Sequence, residues 1–124
     1  ISQLKHLPRF IKIRREIANK YHRELKDMCV LPANYDTDWG HIYYRYVIKL
    51  RHGLKSFLKL LKEKGINGER PVFKPLHRYL SLSNLPNTDR VWEQAASIPI
   101  YPTLTGKNTD SIITCVKQAI EALR

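Results

Sequence analysis

The chain has 124 residues, 43% hydrophobic and 27% charged, a composition that suits one globular domain with a modest core and excludes a disordered polymer. Its formal charge of +11 admits nucleic acid, an anionic membrane surface, a phosphorylated substrate or a partner of opposite sign, and by itself selects none of them. No apolar run is long enough to cross a bilayer and no signal-like segment is written at the start, so a cytoplasmic protein with Cys29 and Cys115 as reduced thiols is expected.

The chain starts Ile1-Ser2-Gln3-Leu4, without Met and without a cap before its first apolar-periodic pattern, and is expected to be a piece of something longer. A domain cut from its partner should expose a face meant to be covered, and Leu4, Leu7 and Ile11 are the expected face. Over residues 1–28, Leu4, Leu7, Phe10, Ile11, Ile17, Ala18, Tyr21, Leu25 and Met28 recur at helical spacing. Pro8 is tolerable only in a first turn, so the helix should run from Pro8 to about Met28, with Lys12, Arg15, Lys20, Arg23 and Lys26 on its solvated face.

Residues 30–40 read as a loop, with Pro32, Asn34, Asp36, Thr37 and Asp38 supplying turn chemistry. Residues 41–50 read as the strongest strand, with Ile42, Tyr44, Tyr46, Ile48 and Leu50 on one face. From Gly53 to Lys64 the spacing of Leu54, Phe57, Leu58 and Leu61 predicts a helix closed by Gly65. A second short strand is expected over residues 66–73, interrupted by Gly68, followed by an irregular stretch over 75–87. Asn87 or Thr88 should cap a short helix to about Ala96, with Asp89 at the positive end of its dipole. Ile98 and Ile100 mark a third strand, bracketed by Pro99 and Pro102, and Asn108 or Thr109 should cap a final helix carrying Ile112, Ile113, Val116, Ala119, Ile120 and Leu123.

The fold expected from this order is α+β, a small antiparallel three-stranded sheet packed with helices. No glycine-rich phosphate loop, nucleophile elbow or metal-ligand spacing of His and Cys is present, so no metal site is expected. Among the histidines, His6, His22 and His52 lie in lysine- and arginine-rich surface patterns and His41 opens a strand. His77 stands apart, because the run Pro71-Val72-Phe73-Lys74-Pro75-Leu76-His77-Arg78 should deliver it from a proline-rigid strand end, a setting where polar side chains are commonly held for function.

Five motifs in register carry a resemblance across essentially the whole chain. They are Gln3-Leu4 with Arg14-Arg15-Glu16-Ile17-Ala18 and Tyr21; Tyr46-Val47-Ile48; Leu58 through Lys64-Gly65-Ile66; Pro75-Leu76-His77; and Ser97-Ile98-Pro99-Ile100-Tyr101-Pro102 with Leu104-Thr105. Together they resemble the C-terminal domain of the DegT/DnrJ/EryC1/StrS family of sugar aminotransferases. The resemblance implies that residues 1–124 are the small domain of a fold-type I pyridoxal phosphate enzyme whose large, cofactor-binding domain lies outside this chain. It also implies transfer of an amino group, usually from glutamate, to a nucleotide-linked keto sugar by a dimeric parent.

The Schiff-base lysine belongs to the large domain, so no catalytic residue is expected here, and the isolated chain should be inactive. His77, with its neighbours Phe73 and Arg78, is expected to contact substrate or cofactor; the plainer reading makes Phe73 a core anchor and Arg78 a surface charge. Where the family often has His-Leu-Tyr this chain has Tyr44-Arg45-Tyr46, and Arg78-Tyr79-Leu80-Ser81-Leu82 also departs from the commoner pattern. The competing readings are a related sugar dehydratase, a small basic nucleic-acid-binding module, and a stand-alone interaction domain.

Overall fold

The computed structural model describes residues 3–33 and 40–124; the turn residues Asn34, Asp36, Thr37 and Asp38 lie outside them. After one 3-10 turn at Gln3–His6, helix α1 runs Leu7–Leu25 with Pro8 in its first turn, where the missing N–H removes no helical hydrogen bond. It ends short of Met28, whose N–H closes a turn on the Leu25 carbonyl at 3.0 Å. Ile17, Ala18, Tyr21 and Leu25 are buried. Leu4 and Leu7 stand exposed and Ile11 is half-buried. The basic face is partly tied down: Lys20 meets Asp110 at 2.6 Å and Glu24 meets Lys117 at 2.9 Å, joining α1 to the last helix.

Strand β1 is Tyr46–Lys49, much shorter than residues 41–50. Tyr46, Ile48 and Leu50 are buried as their alternation requires, but upstream the buried ring is Tyr43 while Ile42 and Tyr44 are exposed. The cause is local: Tyr43 sits at φ +50, in the left-handed region, and its N–H donates to His41 Nδ1 at 2.8 Å. That twist reverses the parity of the side chains before it. Tyr43 then stacks on His41 at 4.4 Å and faces Tyr46 at 5.9 Å.

Helix α2 (Leu54–Glu63) buries Leu54, Phe57 and Leu61, and Gly65 closes it at φ +75, a conformation that suits glycine. The sheet differs from the expected three strands: among the described residues it has two, β1 and β2 (Ala95–Ile98), antiparallel, with Tyr46 opposite Ile98 and Lys49 opposite Ala95, and Lys49 also forms an isolated bridge with Val30. The segment expected as a second strand contributes one isolated bridge, Glu69 to Ser97. Pro71 and Pro75 deny it the donors a ladder needs, and a Cβ on Gly68 would come within 2.8 Å of Leu61, so the chain there is pressed onto α2. The strand placed at Ile98 and Ile100 lies earlier, because Pro99 cannot continue the ladder.

Residues 75–87, expected to be irregular, contain a four-residue helix α3 (Leu76–Tyr79). Helix α4 (Pro86–Gln94) starts with proline in its first turn rather than at an Asn87 or Thr88 cap, and it runs directly into β2. Helix α5 (Gly106–Glu121) is capped by Thr105, whose Oγ1 accepts from Asn108 N at 3.2 Å, three residues before the expected cap. It packs against α1 and α2.

The core is sealed by aromatic side chains that keep their polar ends occupied. Tyr21 meets Tyr46 edge-on at 5.0 Å and donates its hydroxyl to the Pro99 carbonyl at 2.7 Å. His22, read from sequence as a surface residue, is half-buried, with Nε2 2.8 Å from the Pro32 carbonyl and Nδ1 3.0 Å from the Tyr46 hydroxyl. The Ala18 carbonyl lies 2.9 Å from the same Nδ1, so the ring is set among two carbonyls and one hydroxyl. Burial pushes the Tyr21 and Tyr46 hydroxyls far above their ordinary range, so both remain donors. Cys29 and Cys115 are free, and burial raises the Cys29 thiol to about 11.

Candidate functional site

Pro75 opens α3 in an extended conformation, φ −62 and ψ 144, and the chain coils immediately after it. His77 therefore leaves a short helix, not a strand end, and its ring is only 6% exposed. Its Nε2 lies 3.1 Å from Asp89 Oδ1. The same carboxylate oxygen receives the Arg78 guanidinium at 2.7 Å, while Arg78 also approaches Glu93 at 3.7 Å. Burial alone would raise the Asp89 carboxyl, but hydrogen bonds from Arg78 and His77 outweigh it and hold Asp89 below the usual carboxylate range. His77 Nδ1 makes no hydrogen bond among the described residues.

Trp92, one turn beyond Asp89 on α4, ties this cluster to the incoming chain. Arg78 lies 4.5 Å from its ring and Arg70 4.0 Å, so the indole is held by two guanidinium groups. Trp92 Nε1 donates to the Val72 carbonyl at 3.0 Å, and Arg70 donates to the Trp92 carbonyl at 2.6 Å. Arg70, Asp89 and Trp92 were missed as site residues; Asp89 was visible only as a charge at a helix start, since nothing in linear spacing shows that α4 folds back on α3.

The outer surface of this clasp is apolar. Phe73 is 86% exposed, and Val72, Leu76, Tyr79, Leu80, Leu82, Leu85 and Val91 are exposed with it. Between α3 and α4 an open cleft of about 510 Å³ is walled by Pro71, Val72, Pro75, Leu76, Val91 and Trp92. The structure thus brings His77 and Arg78 together on Asp89 and leaves Phe73 on the apolar rim, too exposed to be a core anchor. Arg78 is not a plain surface charge; an incoming phosphate would compete with Asp89 for it.

Chemically, the cluster can hold a wall in place and present hydrophobic surface. Pyridoxal phosphate needs a desolvated lysine to form its covalent link. Among the described residues no lysine is buried: Lys74, closest in sequence to the site, is half-buried over the Tyr79 ring at 4.7 Å, and Lys20 and Lys117 are half-buried in ion pairs. The residues present do not form that cofactor's cradle. Among the described residues no group of three or more His, Cys, Asp or Glu side chains could hold a metal ion, and no helix is long and apolar enough to cross a membrane.

Comparison with known proteins adds the deciding observation: the sequence pattern of the DegT/DnrJ/EryC1/StrS aminotransferase family matches residues 1–117. The chain belongs to this family. Its fold is shared with the aminotransferase TlmJ from Streptoalloteichus hindustanus, 25% identical, with a TM-score of 0.89 over 99% of this chain and 35% of that one. Helicobacter pylori PseC, an aminotransferase involved in pseudoaminic acid biosynthesis, is 22% identical with a TM-score of 0.86 over 98% of this chain and 35% of its own. DesV from S. venezuelae, solved in complex with a ketimine intermediate, is 23% identical with a TM-score of 0.83 over 95% of this chain and 34% of its own. The chain therefore spans about a third of the length of these structures.

Proposed function

We propose that this chain is the small C-terminal domain of a pyridoxal phosphate-dependent aminotransferase of fold type I that passes an amino group from glutamate to a nucleotide-linked keto sugar. The observation that carries the reading is the family match over residues 1–117, with a shared fold that spans only about a third of each neighbour. That no lysine among the described residues is buried supports placing the cofactor and its Schiff-base lysine in the remaining two thirds of the parent, which in this reading is a cytoplasmic dimer. In this reading the domain closes over the substrate. The exposed apolar rim from Val72 to Leu85 packs on the parent's own large domain, Phe73 and Arg78 face the substrate, and His77 offers it Nδ1 while Nε2 stays on Asp89.

The test is an amination assay on the full-length protein supplied with pyridoxal phosphate, glutamate and nucleotide-linked keto sugars. Glutamate-dependent formation of an amino sugar is the expected result. Release of a dehydrated sugar without loss of glutamate, or no turnover with a fully loaded cofactor site, would overturn the reading. Within it, His77→Asn should keep cofactor loading and lower kcat/KM by roughly 10 to 1000-fold, the worth of a substrate hydrogen bond made in the transition state.

A further inference from the structure

Two adjacent arginines on α1 are treated differently by the fold. Arg15 donates Nε to the His41 carbonyl at 3.3 Å and an Nη to the Gly40 carbonyl at 3.4 Å. Arg14 Nε is buried and has no hydrogen-bond partner among the described residues. A buried donor on a permanently charged guanidinium is costly to leave unpaired, and in folded proteins such a group calls for a partner that is missing.

What surrounds Arg14 indicates the partner's chemistry. The side chain lines an open cavity of about 260 Å³ shared with Tyr44, Arg45, Glu69, Ser97 and Pro99. Its guanidinium carbon lies 5.6 Å from the centre of the Tyr44 ring, which is itself 68% exposed at the cavity mouth. Arg45, in the segment leading into β1, lines the same cavity and among the described residues is held by Glu69 alone, Nη1 to Oε1 at 3.2 Å, with both side chains exposed. Such an exposed pair is worth little and exchanges readily. Two guanidinium groups against one loosely held carboxylate leave the cavity net positive, with an Nε–H fork suited to two parallel oxygens.

We infer that the cavity between α1, the segment before β1 and Pro99 is an oxyanion site, in which Arg14 Nε binds a phosphate or carboxylate group of a ligand and Arg45 leaves Glu69 to join it. The inference does not rest on the aminotransferase reading, because it concerns a donor left unpaired by this chain's own fold, and its test reads binding rather than turnover.

The experiment follows the Arg14 Nε–H resonance of the full-length protein, labelled on arginine, during titration with inorganic phosphate and, separately, with glutarate. A saturable shift of Arg14 Nε–H with either probe is expected, and the probe that saturates at lower concentration identifies the ligand as phosphate-like or carboxylate-like. Arg14→Gln should weaken binding about tenfold or more, the value of a charge-assisted hydrogen bond. Glu69→Gln removes the competing carboxylate and should tighten binding about two- to tenfold, while Arg51→Gln, remote from the cavity, should leave it unchanged. The Glu69 variant keeps the proposal testable if Arg14→Gln does not fold. A shift of Arg14 no larger or more saturable than that of an exposed arginine with both probes, or unchanged affinity in Glu69→Gln, overturns it.

Discussion

Around Phe57 the side chains of α1, α2, α5 and the sheet cover one another so fully that Tyr21, Tyr46, Ile48, Leu61 and Val116 keep no measurable solvent contact. Along residues 72–91 the same chain leaves eight large apolar side chains exposed and holds its backbone with charge: Arg78 and His77 on Asp89, and Trp92 between Arg70 and Arg78. The first region buries its apolar surface within the chain. The second is an ion-clasped platform whose hydrophobic face has no cover among the described residues, and under the proposed function a larger neighbour would cover it.

This contrast makes graded predictions. The largest loss should come from Phe57→Ala, which opens a cavity in the covered region and should lower the unfolding free energy by about 3–5 kcal/mol in a denaturant titration. A loss below 1 kcal/mol would show that α2 is not seated as described. Next, Tyr21→Phe leaves the Pro99 carbonyl without its 2.7 Å donor and should cost about 1–3 kcal/mol.

In the clasp, Asp89→Asn should leave global unfolding nearly unchanged yet speed hydrogen exchange of the α3 and α4 amides, because the acceptor shared by His77 and Arg78 loses its negative charge. Acid should do the same. Asp89 is held below its usual range, so the clasp's contribution is fully present above the unfolded carboxyl value of about 3.9 and fades as pH falls through the lower folded value. Opening of α3 and α4 in the range above pH 5 would place the sensitivity on a different group. The smallest stability effect belongs to Phe73→Ser, at an 86% exposed position, which should shift the unfolding free energy by about 0.5 kcal/mol or less while raising the solubility of the isolated chain.

Helices α1, α2 and α5 were legible because their apolar stripes repeat at three and four residues, as with Leu54, Phe57 and Leu61, and the short α4 was legible from the turn chemistry and Asp89 at its start. The sheet was legible in its first strand and not in its second. Ala95 and Ala96 carry no strand preference and sit directly after a helix, whereas Ile98 and Ile100 look like strand residues and are interrupted by Pro99. The parity break at Tyr43 was hidden as well, since nothing in an alternating aromatic run announces a left-handed residue. His77 and Arg78 were visible as a segment made rigid by prolines. Their acceptor Asp89 and the Trp92 ring were not, because the clasp depends on where α4 returns in space. Arg14 was hidden for the same reason: adjacent arginines look alike in sequence, and only packing separates the one with carbonyl partners from the one without.

Hydroxyl-radical footprinting of Phe73, Leu76 and Tyr79 in the full-length protein, with the 124-residue chain in parallel, tests the central claim most directly. The account predicts that all three side chains react readily in the isolated chain and are strongly protected in the longer polypeptide, while Phe57 is protected in both. Equal reactivity of Phe73, Leu76 and Tyr79 in the two would contradict the proposal that this platform is the face on which a larger enzyme closes.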